Sequence, residues 1–149
     1  MSLDYEAQIK RPIIGTKSEA GARTGVQLEN TYGTDETTDP TKSFSTAKFS
    51  KLNLDILYTM GAAETSNSLE VKIESSPDGI NWYRLPIDTV TTVSTLLARE
   101  WTFVGTNGGA ATIGIILDIA YRYVRVSCKE TGVAANKGNV FVEATLSGV

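Results

Sequence analysis

The feature that most restricts this chain is an alternation of apolar and polar residues with period two, recurring from its middle to its end. Leu52, Leu54, Ile56, Tyr58 and Met60 fall on one side, with Asn53, Asp55 and Thr59 opposite. Leu69, Val71 and Ile73 alternate with Glu70, Lys72 and Glu74. The pattern returns at Ile113, Ile115, Leu117 and Ile119, at Val124, Val126 and Cys128, and at Val140, Val142, Ala144 and Leu146. In an extended chain successive side chains point to opposite faces, so each run predicts a strand with one face buried. Residues 100–104 and the Thr- and Val-rich residues 89–97 predict two further strands. No stretch has a capped 3.6-residue period. The nearest is residues 95–101, where Leu96, Leu97 and Ala98 fit a single helical turn.

Turn chemistry separates the strands. Ser76-Pro77-Asp78-Gly79 forms a tight corner, because Pro77 presets a negative φ and Gly79 tolerates a positive one. The spacing predicts that Ile80–Leu85 returns as the paired strand and that Trp82 packs back across its own hairpin, with Pro86 at an edge or corner. Short strands with regular turn signals predict an all-β fold, an antiparallel β-sandwich. A jelly roll is the first way of joining about eight such strands and a closed barrel another, and periodicity does not separate the two.

The first thirty residues lack the pattern. Gly15, Gly21 and Gly25 interrupt them, and Lys10, Arg11, Lys17 and Arg23 are scattered between. Residues 1–30 therefore read as an irregular N-terminal arm, either frayed or ordered on a neighbouring subunit, and residues 31–149 as the sandwich domain. Residues 31–43 read as a loop. Its acids Asp35, Glu36 and Asp39 lack the calcium-loop glycine and closing glutamate, which favours a solvated acidic loop.

Composition removes several functions. A chain of 149 residues is one ordinary domain. It contains no histidine, which excludes Ser-His-Asp and Cys-His catalysis and every His-ligated metal. Net charge is −3, so the chain gains little from counterion release on nucleic acid. The single Cys128 cannot form an internal disulfide and reads as a small buried hydrophobe. No stretch reaches the roughly 20 apolar residues of a membrane helix. The acidic start, Asp4 and Glu6, does not resemble a signal peptide, and synthesis in a cytoplasm is expected.

Candidate chemistry is sparse. Glu70 and Glu74 share the polar face of one strand with Lys72, which suits a charged solvated face better than a glycosidase pair. Residues 105–109, Gly-Thr-Asn-Gly-Gly, lack the ending of a phosphate loop. The aromatic residues Trp82, Tyr83, Trp101, Tyr121, Tyr123 and Phe141, with Asn81 or Arg84 as polar partners, offer either a sugar-stacking platform or core filling, and core filling is favoured. Arg122 and Arg125 straddle Tyr123, and an arginine beside aromatics is a common interface anchor. Trp82, Tyr83, Arg84, Trp101 and Arg125 are therefore the candidate interface or ligand contacts. No catalytic residue, cofactor or metal is expected.

Residues 69–82, running from Leu69 through Ser76-Pro77-Asp78-Gly79-Ile80-Asn81-Trp82, resemble a hairpin of small β-sandwich proteins in tailed-phage virions. Arg122-Tyr123-Val124-Arg125-Val126, a Gly-containing loop and the closing strand Val140 to Leu146 are similar to the last two strands of such proteins. The same type of strand occurs in discoidin-like carbohydrate-binding jelly rolls. The resemblance covers about half of the chain, and residues 1–68 match no named family. It implies a virion structural protein, such as a capsid decoration (cement) protein, trimeric and bound to capsid or other virion proteins. A carbohydrate-binding module, as an adhesin or fibre head, is the alternative.

Overall fold

The computed structural model describes residues 8–33, 40–46, 48–85, 100–105, 109–119 and 121–148. The strand expected over residues 89–97, Pro86, the helical turn up to residue 99, the acids Asp35, Glu36 and Asp39, and residues 106–108 of the glycine-rich loop lie outside these residues.

The strands are β1 (Ile9–Ile14), β2 (Thr16–Lys17), β3 (Arg23–Thr24), β4 (Val26–Gln27), β5 (Thr41–Ser45), β6 (Lys51–Thr59), β7 (Ser68–Ser76), β8 (Tyr83–Leu85), β9 (Glu100–Val104), β10 (Ala110–Asp118), β11 (Tyr123–Thr131) and β12 (Asn139–Ser147). Sheet I runs β1-β12-β6-β10, with β4 also on β12. Sheet II runs β5-β11-β7-β8, with β9 also on β7. Every pairing is antiparallel.

The short strands share places. β1 pairs with the far end of β12, from Ile9 opposite Leu146 to Ile14 opposite Val142, and β4 takes over at Val140 and Asn139. On β7, β9 pairs Ser68 to Lys72 and β8 pairs Ile73 to Ser75. Each sheet thus has four places. From β4 to β7 the chain changes sheet at every step (β4 in I, β5 in II, β6 in I, β7 in II), and after β8 and β9 it does so again through β10, β11 and β12. This winding defines the jelly roll and rules out the barrel.

The core follows from the alternation. Leu52, Leu54, Ile56 and Tyr58 of β6 face Leu69, Val71 and Ile73 of β7 and Val124, Val126 and Cys128 of β11, all fully buried. Burial pushes the Cys128 thiol up to about 12, which keeps it an unreactive thiol at neutral pH.

Three sequence expectations change. Residues 9–28 do not stand away from the sandwich: Ile13, Ile14 and Leu28 belong to its core, and β1 and β4 form an edge of sheet I. The irregularity itself is real, since four strand pieces are separated by bends, and the ladder is displaced between Pro12 and Ile14. Proline lacks the N–H that a central strand requires and fits an edge. Second, β5 starts at Thr41, within the expected loop; only Phe44 of its residues is a large apolar one, too little for the pattern to register. Third, the return strand after the Asp-Gly turn is only Tyr83–Leu85. The Asp78 carboxylate accepts from the Ile80 and Asn81 N–H groups, each at 2.8 Å, and this Asx arrangement holds residues 80 and 81 off the ladder.

Candidate functional site

Around the start of β8 the expected contact residues Trp82, Tyr83, Arg84 and Arg125 are divided between the two faces of sheet II. The turn is a closed hydrogen-bonded unit. Asp78 also accepts from Asn81 Nδ2 at 2.7 Å and Ser76 Oγ at 2.9 Å, while Ser76 Oγ accepts from the Gly79 N–H at 2.8 Å. These donors, led by the Asn81 N–H, hold the Asp78 carboxyl well below the usual carboxylate range. Gly79 has a φ of 78°, the conformation its place in the turn requires.

Trp82 does not simply pack within its hairpin. The Arg125 guanidinium, from β11 on the other side of β7, lies 4.4 Å from its ring centroid. Arg125 is itself fixed by Glu74 on β7, its Nε donating at 3.1 Å. An arginine stacked on an indole and paired to a carboxylate is preorganised. Tyr83 is 50% exposed and Tyr121 37% exposed, and their ring centroids stand 6.0 Å apart at 50°. Arg122 lies 5.7 Å from the ring of Tyr123, which forms the neighbouring ladder position opposite Ser76. Trp82, Arg125 and Tyr123 thus share the outward face of sheet II, whereas Tyr83, in register with Ser75 and Val124, belongs to the other face at the β8 edge. Arg84 is placed opposite Glu74 in the ladder.

Trp101 is not part of this region. It pairs with the buried Val71 and packs with Phe103 against the core. Period two dictates this, since directly opposed residues share a face. Phe141 is also buried, and Asn81 is committed to Asp78.

Glu70 and Glu74 are ion-paired. Glu70 meets Lys129 at 3.1 Å, and Glu74 meets Arg125 at 3.1 Å and Lys72 at 3.7 Å. Tyr32 lies over this face, 4.6 Å from both Lys72 Nζ and Lys129 Nζ. Among the described residues no group of three or more His, Cys, Asp or Glu side chains is arranged to hold a metal.

Two buried carboxylates at the other end of β11 escaped the sequence reading. Glu130 is fully buried and accepts from Tyr58 Oη at 2.9 Å, Asn67 Nδ2 at 3.1 Å and the Gly138 N–H at 3.0 Å. Burial, then the Glu130 hydrogen bond, pushes the Tyr58 hydroxyl upward. Glu64 accepts from the N–H groups of Ala134, Ala135 and Asn136, which lower its pKa. Together they pin residues 132–138, the β11–β12 connection. A signal existed for Glu130: it falls in phase with Val124, Val126 and Cys128 on the buried face of β11. A cavity of about 340 Å³ opens beside it, lined by Glu29, Glu130 and Lys137 among others. Both Glu130 oxygens are already occupied by donors, so this carboxylate acts as a structural acceptor.

No family model matches the chain, and no curated protein does. Among solved structures it is similar to a family GH115 4-O-methyl-α-glucuronidase with specificity for decorated arabinogalactans, at 12% identity and a TM-score of 0.47, over 99% of this chain and 18% of that one. It is also similar to a carbohydrate-binding module of family 28, specific for non-crystalline cellulose, at 12% identity and a TM-score of 0.46, over 85% of this chain and 74% of that one. The chain thus spans under a fifth of the glucuronidase's length. Likenesses this slight transfer no function.

Proposed function

We propose that this chain is a non-catalytic carbohydrate-binding β-sandwich module whose ligand rests on the corner formed by Tyr83 and Tyr121. The observation that carries the reading is the pair of exposed, mutually tilted tyrosine rings held on a rigid jelly roll. Tyrosine combines an apolar face for sugar C–H groups with a hydroxyl for sugar oxygens, at low conformational cost.

Titration against a glycan panel, followed by Trp82 fluorescence, tests it. Tyr83→Ala and Tyr121→Ala abolish a saturable response while leaving the melting temperature nearly unchanged. An unaltered response in both variants, or none for the native chain with any glycan, ends the reading. Trp101→Ala serves as a control that lowers stability and leaves corner affinity intact.

A second reading, a virion decoration protein that works through protein contacts, rests on the resemblance of the Ser76–Trp82 turn. The exposed Ile80, Val104 and Ile116 are the apolar residues such a contact would use. Rebinding of the purified chain to particles stripped of their decoration, with a gain in particle stability, distinguishes it from glycan binding.

A further inference from the structure

The lead-in builds a second concavity on the opposite sheet. Gly15 has a φ of 83°, and a Cβ there would collide with the Thr24 carbonyl oxygen. At Gly25 a Cβ would meet the Val140 carbonyl oxygen at 3.0 Å. These two glycines let β2 and β3 fold down onto the outer face of sheet I, enclosing a cavity of about 290 Å³ over Leu57 and Phe141. Its rim carries Arg23, Thr24, Thr59 and Asn139.

The lead-in cations are disposed of differently. Lys10 and Lys17 both pair with Glu143, at 3.4 and 3.2 Å. Arg11 covers the Phe44 ring at 5.8 Å. Arg23 lies 5.9 Å from the Phe141 ring, and among the described residues no carboxylate stands within ion-pair distance of it. A guanidinium rested on a ring at a cavity mouth, with no carboxylate partner among the described residues, is set to bind a carboxylate through two parallel hydrogen bonds. The Thr24 and Thr59 hydroxyls and the Asn139 carboxamide also make no hydrogen bond among the described residues, so they are available as both donors and acceptors. The volume lies at the small end of the roughly 300–1,000 Å³ usual for ligand cavities, which suits one ring rather than a chain.

We infer that this cavity is a binding site for a single acidic sugar ring: carboxylate on Arg23, hydroxyls on Thr24, Thr59 and Asn139, and the C–H face against Leu57. The site is independent of the Tyr83–Tyr121 corner. Amide NMR titration of the full chain with galacturonate, galactose and acetate tests it. Galacturonate shifts the Thr24, Gly25 and Asn139 signals saturably, while galactose and acetate each need on the order of tenfold more ligand for the same shift. Arg23→Gln brings galacturonate down to the galactose level, and Arg23→Lys, with charge but no fork, lies between. Galactose equal to galacturonate, acetate equal to galacturonate, or an unaffected Arg23→Gln each overturns the inference. Shifts confined to Tyr83 and Tyr121 overturn it too, while supporting the corner; loss of corner binding alone leaves it intact.

Discussion

The outer faces of the two sheets are completed in opposite ways. On sheet II the outward side chains satisfy one another: Glu70 with Lys129, and Glu74 with Arg125 and Lys72, neighbours across β7 and β11. On sheet I the outward Phe141 and Glu143 of β12 are covered by chain more than a hundred residues away in sequence, through Arg23, Lys10 and Lys17. A self-paired face needs only local register. A roofed face needs the roof to fold, so its stability belongs to two regions at once. The two faces should therefore respond differently to single substitutions.

The largest effect falls under the roof. Phe141 is 1% exposed although it sits on the outward side of β12. Phe141→Ala is expected to cost about 3–5 kcal/mol in denaturant unfolding, the range of a buried aromatic truncation. A cost below about 1 kcal/mol would mean that the lead-in does not cover the ring in solution. Next comes Gly15→Ala, which forces a Cβ into the left-handed region and against Thr24. About 1–3 kcal/mol is expected, together with faster hydrogen exchange in β2 and β3 and little change in β7 or β11. Uniform acceleration would contradict a separable roof.

These two faces also divide what could be read from the sequence. The central strands β6, β7, β10, β11 and β12 were legible because burial on one face imposes period two, and Leu54 or Val71 can sit nowhere else in that register. The ion-paired face was legible for the same reason, as Glu70, Lys72 and Glu74 fall between buried neighbours. The roof was not. β2, β3 and β4 have two residues each, too few for any period, and they are held by partners such as Glu143, 126 positions from Lys17. Of the candidate contacts, Trp82 and Arg125 meet because β8 and β11 flank β7, while Tyr83, one residue on, falls on the other face of the sheet. Trp101 faces the core with Phe103, as their alternation with Glu100 and Thr102 already suggests and the pairing with Val71 fixes. Arg23 and the cavity beside it had no signal, since a cation's partners, or lack of them, are fixed only by tertiary structure.

On the self-paired face the effects are smaller. Arg125→Lys keeps the charge and loses the planar stack on Trp82 and the directed Nε bond to Glu74. About 0.5–2 kcal/mol is expected, with a red-shifted Trp82 emission as the indole gains water. Glu70→Ala removes one pair with Lys129, whose partners are each about a fifth exposed, and should cost no more than about 1 kcal/mol, screened by salt. A larger cost at Glu70 than at Phe141 would invert the comparison.

The smallest effect is one of pH, and it separates local turns from both faces. Asp78 and Glu64 accept several backbone N–H bonds, and both have folded-state pKa values below their ordinary ones. A carboxyl whose pKa is depressed on folding stabilises the folded state fully above its unfolded value, roughly pH 4, and loses that contribution as pH falls through the folded value. Stability should therefore be flat near neutrality as far as these groups are concerned and decline below about pH 4. Asp78→Asn retains an acceptor without the charge, so it should flatten part of that acid slope by lowering stability at pH 7 toward the value the native chain has in acid. It should change amide exchange at Ile80 and Asn81 and leave that at Ala134–Asn136 alone, whereas Glu64→Gln should do the reverse. An acid slope unchanged in both variants would mean that neither turn is the acid-sensitive part of the molecule.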